Sequence, residues 1–198
     1  MANQKISSLT ALTGANVEQL VDVVPIVDGS ASATKKILVS ELSQAMLVIG
    51  TAQATTSGTE KDFTIPAWAK RVTVSPAGVS TNGTSSLLIQ LGDAGGIELT
   101  GYVASTFNIT SQSDYTTGFG LQTTGDAAVT YSGAIVLCLV DASTFTWSAH
   151  GSISGAGSGN AFCISGIKSL SAALTTVRFT TFNGTDAFDA GKVNVLFE

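Results

Sequence analysis

Residue types able to carry catalysis are few in this chain and lie far apart. The single histidine, His150, precedes Gly151 and Ser152, and its nearest acid along the sequence is Asp141. A serine nucleophile needs a base, an orienting carboxylate and an oxyanion hole, and no G-x-S-x-G elbow surrounds any serine here. His150 is therefore read as a polar strand position. The run Gly155-Ala156-Gly157-Ser158-Gly159 has the look of a phosphate loop, but no lysine and no helix follow it, so it is read as a flexible surface loop.

The acidic residues give no ligand set either. Asp186 and Asp189 lie near the turn Asn183-Gly184-Thr185, and Asp93 lies near Glu98, but neither group supplies the full set of oxygens that calcium takes. They read as turn-forming aspartates. Fourteen acids would serve glycoside hydrolysis only if two of them converged in space. The expectation is a protein that is not an enzyme, with no cofactor and no metal.

Trp68, Trp147, Tyr102, Tyr115 and Tyr131 would suit a sugar-stacking shelf, yet aromatics in a β protein more often fill the core. Trp68, directly after Pro66-Ala67, is the one placed at a strand entry. Cys138, in the run Ala134 to Val140, and Cys163, between Phe162 and Ile164, read as reduced core cysteines on strands. The triplets at Asn82, Asn108 and Asn183 would accept a glycan only in a secretory pathway, and two of them coincide with Asn-Gly turns.

The composition narrows the classes further. Charged residues are 12% of the 198 residues against 44% hydrophobic, which excludes a disordered chain and leaves a surface of Thr, Ser, Asn and Gly. The net charge is -5, and the nine basic residues form no stripe, so nucleic acid is not an expected partner. No apolar run reaches the length of a membrane span, and Met1-Ala2-Asn3-Gln4-Lys5 opens no signal peptide. The expectation is synthesis in a cytoplasm without secretion and without a membrane partner.

Two kinds of segment must position these residues. Up to about Gly50 the chain mixes short apolar runs. Val21 to Val27 reads as an edge strand because Pro25 interrupts it, Asp28-Gly29-Ser30 as a turn, and Lys36 to Val39 as a second strand. Ser40 would cap a helix of about two turns carrying Leu42, Ala45 and Met46. From Thr51 onward, short alternating runs are separated by turn residues. They fall at Val72 to Val74, Leu87 to Leu91, Ile97 to Val103, Ala127 to Val140, Thr144 to Ile153, Val177 to Phe182 and Val193 to Phe197. Asn82-Gly83 marks a tight turn. The predicted fold is all-β: an antiparallel sandwich or jelly roll over 51–198, preceded by an extended arm over 1–50 with short strands and one short helix.

Three stretches resemble a known group. The run Lys5-Ile6-Ser7-Ser8-Leu9-Thr10-Ala11-Leu12, with Asp22 to Val27 and Thr34 to Val39, resembles the N-terminal attachment signature of tailed-bacteriophage fibre and structural proteins. Phe63-Thr64-Ile65-Pro66-Ala67-Trp68-Ala69-Lys70-Arg71-Val72-Thr73-Val74 resembles the first strands of a β domain found in phage head and tail fibres, and Val177 to Glu198 is similar to its closing hairpin. The resemblance implies a virion structural protein, a homotrimer, that decorates or cements the capsid or forms a short head fibre. Its partners would be copies of itself and the major capsid protein or another virion protein. Docking would bury Ile6, Leu9, Leu12, Leu20, Val24 and Ile26 of the arm. The alternative is a tail module that contacts host surface glycans, with Trp68 or Tyr115 against the sugar.

Overall fold

A computed structural model describes residues 23–28, 33–38, 47–157 and 159–198, the first two segments as backbone only. The chain divides into two compact units, Met1–Leu47 and Val48–Glu198. In the first, β1 (Val23–Asp28) pairs antiparallel with β2 (Ala33–Leu38), with Pro25 opposite Lys36. Both strands of such a pair are edges, which is where proline is tolerated. The expected helix after Ser40 lies outside the described residues.

The second unit is an antiparallel β-sandwich. Its larger sheet runs in the order β10 (Gln112–Tyr115), β9 (Tyr102–Phe107), β14 (Ala161–Ser169), β13 (Thr146–Gly155), β12 (Tyr131–Asp141), β6 (Arg71–Thr81) and β16 (Phe188–Phe197). The short strands β3 (Val48–Ile49) and β4 (Gln53–Ala54) pair along the outer edge of β16. Residues 48–50 thus belong to the sandwich rather than to the preceding arm. The smaller sheet runs β11 (Phe119–Gly120), β7 (Leu87–Asp93), β15 (Thr176–Thr181) and β5 (Glu60–Thr64), with β8 (Gly96–Ile97) hairpinned onto β7.

Alternation places every second side chain between the sheets. Val72 and Val74 of β6, Ile135 and Leu137 of β12, and Val193 and Val195 of β16 face Ile89 and Leu91 of β7 and Val177 and Phe179 of β15 in one core. Phe179 and Phe188 stack with centroids 5.6 Å apart, joining a strand of each sheet. Two polar ties also span the core. Thr106 on β9 donates its hydroxyl to the Gly120 carbonyl on β11, and the Tyr102 hydroxyl accepts the Leu91 N–H at 2.7 Å. Satisfying these groups inside the sandwich avoids the cost of an unpaired buried donor.

Strand β7 is buried on both faces. The Tyr115 ring packs over Gly120, which pairs with Leu88, and Ile97 folds over Gly92, so the outer side of the strand is roofed by its own chain at these two positions, on either side of Gln90. This is why Leu87-Leu88-Ile89 reads as a continuous apolar run instead of alternating.

Pro76 sits inside β6, a central strand, where a missing N–H would break a ladder. The ladder is already interrupted there. Between Val74, opposite Ile135, and Val79, opposite Tyr131, β6 carries one residue more than β12. Gly78 takes φ +64° within this bulge and donates its N–H to the Ser132 hydroxyl at 2.8 Å.

Asn82-Gly83, read from the sequence as a tight turn, does not close a hairpin. It leads from β6 in one sheet to β7 in the other, as Asn183-Gly184 leads from β15 back to β16. The two crossings brace each other: Asn82 N–H meets the Ala187 carbonyl at 2.9 Å, and Ala187 N–H meets Asn82 Oδ1 at 2.9 Å.

Candidate functional sites

One cluster of ionisable groups joins the β7–β8 turn to the end of β14. Lys168, buried in the sheet, pairs through Nζ with the Glu98 carboxylate and lies 5.3 Å from the centre of the Tyr102 ring. Glu98 accepts the Ser171 N–H at 2.7 Å, and the Ser171 hydroxyl donates to Asp93 at 2.5 Å. The Ser171 hydroxyl and the Gly95 N–H hold the Asp93 carboxyl below its ordinary value. Burial pushes Glu98 up, but Lys168 and Ser171 outweigh it and bring it below its ordinary value. Burial raises the Tyr102 hydroxyl. Every charge here is answered by a partner in the same chain, so the cluster acts as a brace between two turns.

Asp186, weighed in the sequence as a ligand, accepts the Ser85 N–H at 2.9 Å and the Asn183 amide at 2.7 Å. Asn183 Oδ1 in turn accepts the N–H groups of Thr185 and Asp186, each at 3.0 Å. Asp189 accepts the Ser80 hydroxyl. The Asp186 contacts are turn-forming as read from the sequence, whereas Asp189 sits within β16 and ties it to Ser80 on β6. Among the described residues no group of three or more His, Cys, Asp and Glu is placed to hold a metal ion. No helix of the described residues is long and apolar enough to cross a membrane.

His150 lies on the outer face of the larger sheet, opposite Val136 on β12 and Ser165 on β14. Among the described residues its partners on the neighbouring strands include Ser165 but no carboxylate. Both cysteines are on this outer face and not in the core as expected: Cys163 is exposed and Cys138 half-buried. Alternation explains the reversal, because Phe162 and Ile164 point inward and turn Cys163 out. Cys138 pairs with Ser148 and Cys163 with Ser152, four residues further along β13 and one strand beyond it. At about 3.4 Å per residue and 4.8 Å per strand, that separation far exceeds the roughly 7 Å limit of a disulfide.

Of the aromatics singled out, Tyr102, Tyr115, Tyr131 and Trp147 are core. Tyr115, expected as a sugar contact, is buried and donates to the Gln122 carbonyl at 2.5 Å, so it offers no face to a ligand. Trp68 is 47% exposed in the loop between β5 and β6. Of the docking residues, Ile6, Leu9, Leu12 and Leu20 lie outside the described residues, while Val24 and Ile26 are on β1 opposite Ile37 and Lys35.

Two surfaces were not evident in the sequence. The outer face of β9, β14, β13 and β12 carries no Asp, Glu, Lys or Arg from Ser132 to Val140 or at any outward position of the other three strands. Within it Val103 (72% exposed) pairs with Ile167 (43%), and Phe107 (50%) pairs with Cys163, on either side of Ser105 and Ser165. The outer face of the smaller sheet is different: Asp62, Arg178 and Gln90 stand in one row across β5, β15 and β7. No family model, curated protein or solved structure matches this chain.

Proposed function

We propose that the chain is a structural building block of a tailed-phage virion, a trimeric capsid decoration or short head-fibre protein that docks on the capsid through its N-terminal arm. The observation that carries this reading is the uncharged outer face of β9, β14, β13 and β12, flanked by Asp114 on β10 and Arg71 on β6. Depletion of charge with apolar side chains left in the open is the composition of an interface core, and contiguous apolar patches of this kind mark assembly sites. Four strands about 4.8 Å apart and about 30 Å long give a planar footprint on the order of 600 Å², near the roughly 800 Å² per partner of a stable interface. The Val103–Ile167 and Phe107–Cys163 pairs are its apolar contacts.

Light scattering on the purified full chain tests the assembly. A trimer that Val103→Asp with Ile167→Lys converts to a folded monomer supports the reading, and a monomeric wild type at high concentration overturns it. Copy number in purified particles tests the location: hundreds of copies in fixed ratio to the major capsid protein belong to a head component, a dozen or fewer to the tail. The polar row on the opposite sheet favours a second role, contact with a host surface glycan.

A further inference from the structure

We infer that the outer face of the smaller sheet holds a binding groove for a neutral saccharide, with Phe182 as its apolar platform; this rests on the second of the two readings above. The groove has a volume of about 340 Å³ and is bounded by Glu60, Arg178 and Gln90 on the sheet, Leu99 and Thr117 on one side, and Phe182 at the end of β15.

Its polar groups are planar and held in place before any ligand arrives. Arg178 donates Nε and Nη2 to the two oxygens of Asp62 at 2.8 and 2.7 Å, and Nη1 lies 2.7 Å from Glu60 Oε2. Gln90, nearly buried, donates its amide N–H to the Thr117 carbonyl at 2.9 Å, which fixes the amide plane and leaves Oε1 as an acceptor. Fixed planar acceptors suit the paired hydroxyls of a sugar ring, because little rotamer freedom is lost on binding.

The platform is preorganised as well. Phe182 is 54% exposed, and its ring is supported edge-to-face by the buried Tyr115, centroids 5.6 Å apart. A pyranose has one C–H-rich face and a hydroxyl rim, so it would place the face on Phe182 and the rim on Glu60 and Gln90. The charge of the groove selects the class of sugar. One guanidinium is answered by two carboxylates, so no uncompensated cation is left for a sialic or uronic acid. Neutral hexoses and N-acetylhexosamines fit, and anionic sugars are repelled.

Saturation-transfer NMR on the full chain tests this with maltose, lactose and chitobiose at about 10 mM, and with sialyllactose as the anionic control, since single-site sugar affinities near 1 mM are measurable there. Saturation of ring C–H protons in at least one neutral sugar and none in sialyllactose is expected. Phe182→Ala should reduce the signal at least fivefold, and Glu60→Gln, at a half-exposed surface position, should weaken it while the melting temperature stays unchanged. Binding that survives both variants would overturn the groove while leaving glycan contact elsewhere. No binding by any of the three neutral sugars would overturn the groove and the second reading together. Neither result touches the assembly face, which is judged by light scattering.

Discussion

The Asp186 carboxylate fills the space that a side chain at Gly83 would need: a Cβ there would collide with Oδ2. The two crossings between the sheets meet at this contact, with Ser85 and Asn183 donating to the same carboxylate. Gly83→Ala should therefore expel Asp186 from both hydrogen bonds and cost about 1–3 kcal/mol, read from the midpoint of urea unfolding. In the double variant with Asp186→Ala the clash has no partner, so the two costs should fall short of adding.

The Lys168–Glu98 pair should respond to mutation and acid in a linked way. Lys168→Met leaves Glu98 uncompensated and should cost roughly 2–3 kcal/mol, toward the low end for a broken buried pair because Glu98 keeps part of its side chain in water. Asp93 and Glu98 both have folded pKa values below their ordinary 3.8 and 4.5. Their stabilisation is complete above those ordinary values and is lost as pH falls through the folded ones. Thermal melts at pH 6 and pH 3 should show the gap between wild type and Lys168→Met narrowing in acid.

Cys163 reports on the assembly face. Its thiol is exposed in the single chain and paired with Phe107. Maleimide labelling should be fast for the dilute or Val103→Asp protein and slow for assembled wild type. Equal rates in the two states would place the interface elsewhere.

The stacked pair Phe179 and Phe188 ties one sheet to the other in the core. Phe188→Ala should lose about 3–5 kcal/mol in denaturant melts, a large fraction of the stability of a domain of this size. Ser132→Ala, which removes only the acceptor of the Gly78 N–H in the β6 bulge, should lose about 1 kcal/mol.

The all-β class and most long strands were legible in the sequence because period-two alternation is a local signal. Val72 and Val74, Ile135 and Leu137, and Val193 and Val195 all point inward as their spacing implies. Pairing is not local, and there the reading lost information. Asn82-Gly83 has hairpin chemistry, and only the distribution of strands between sheets shows that it is a crossing. The cysteines were misplaced for a related reason: apolar neighbours suggested a core, but parity along the strand decides the side. Tyr115 and Phe182 exchange roles in the same way. The residue with the polar handle is buried, and the plain aromatic stands open at the end of β15. Neither the uncharged face nor the groove has a linear motif: the face depends on β14 pairing with the much earlier β9, and the groove on Arg178 of β15 pairing with Asp62 of β5.

The order in which the strands are made also has a consequence for how the protein is produced. Strand β15 lies between β7 and β5, and β16 covers the flank of β6 and pairs with β3 and β4. Both come from residues 176–197, so neither sheet can close until that stretch has emerged from the ribosome. Up to then β5, β6 and β7 are open templates for a neighbouring nascent chain. Yield should depend more on the crowding of polysomes than on the stability of the finished fold.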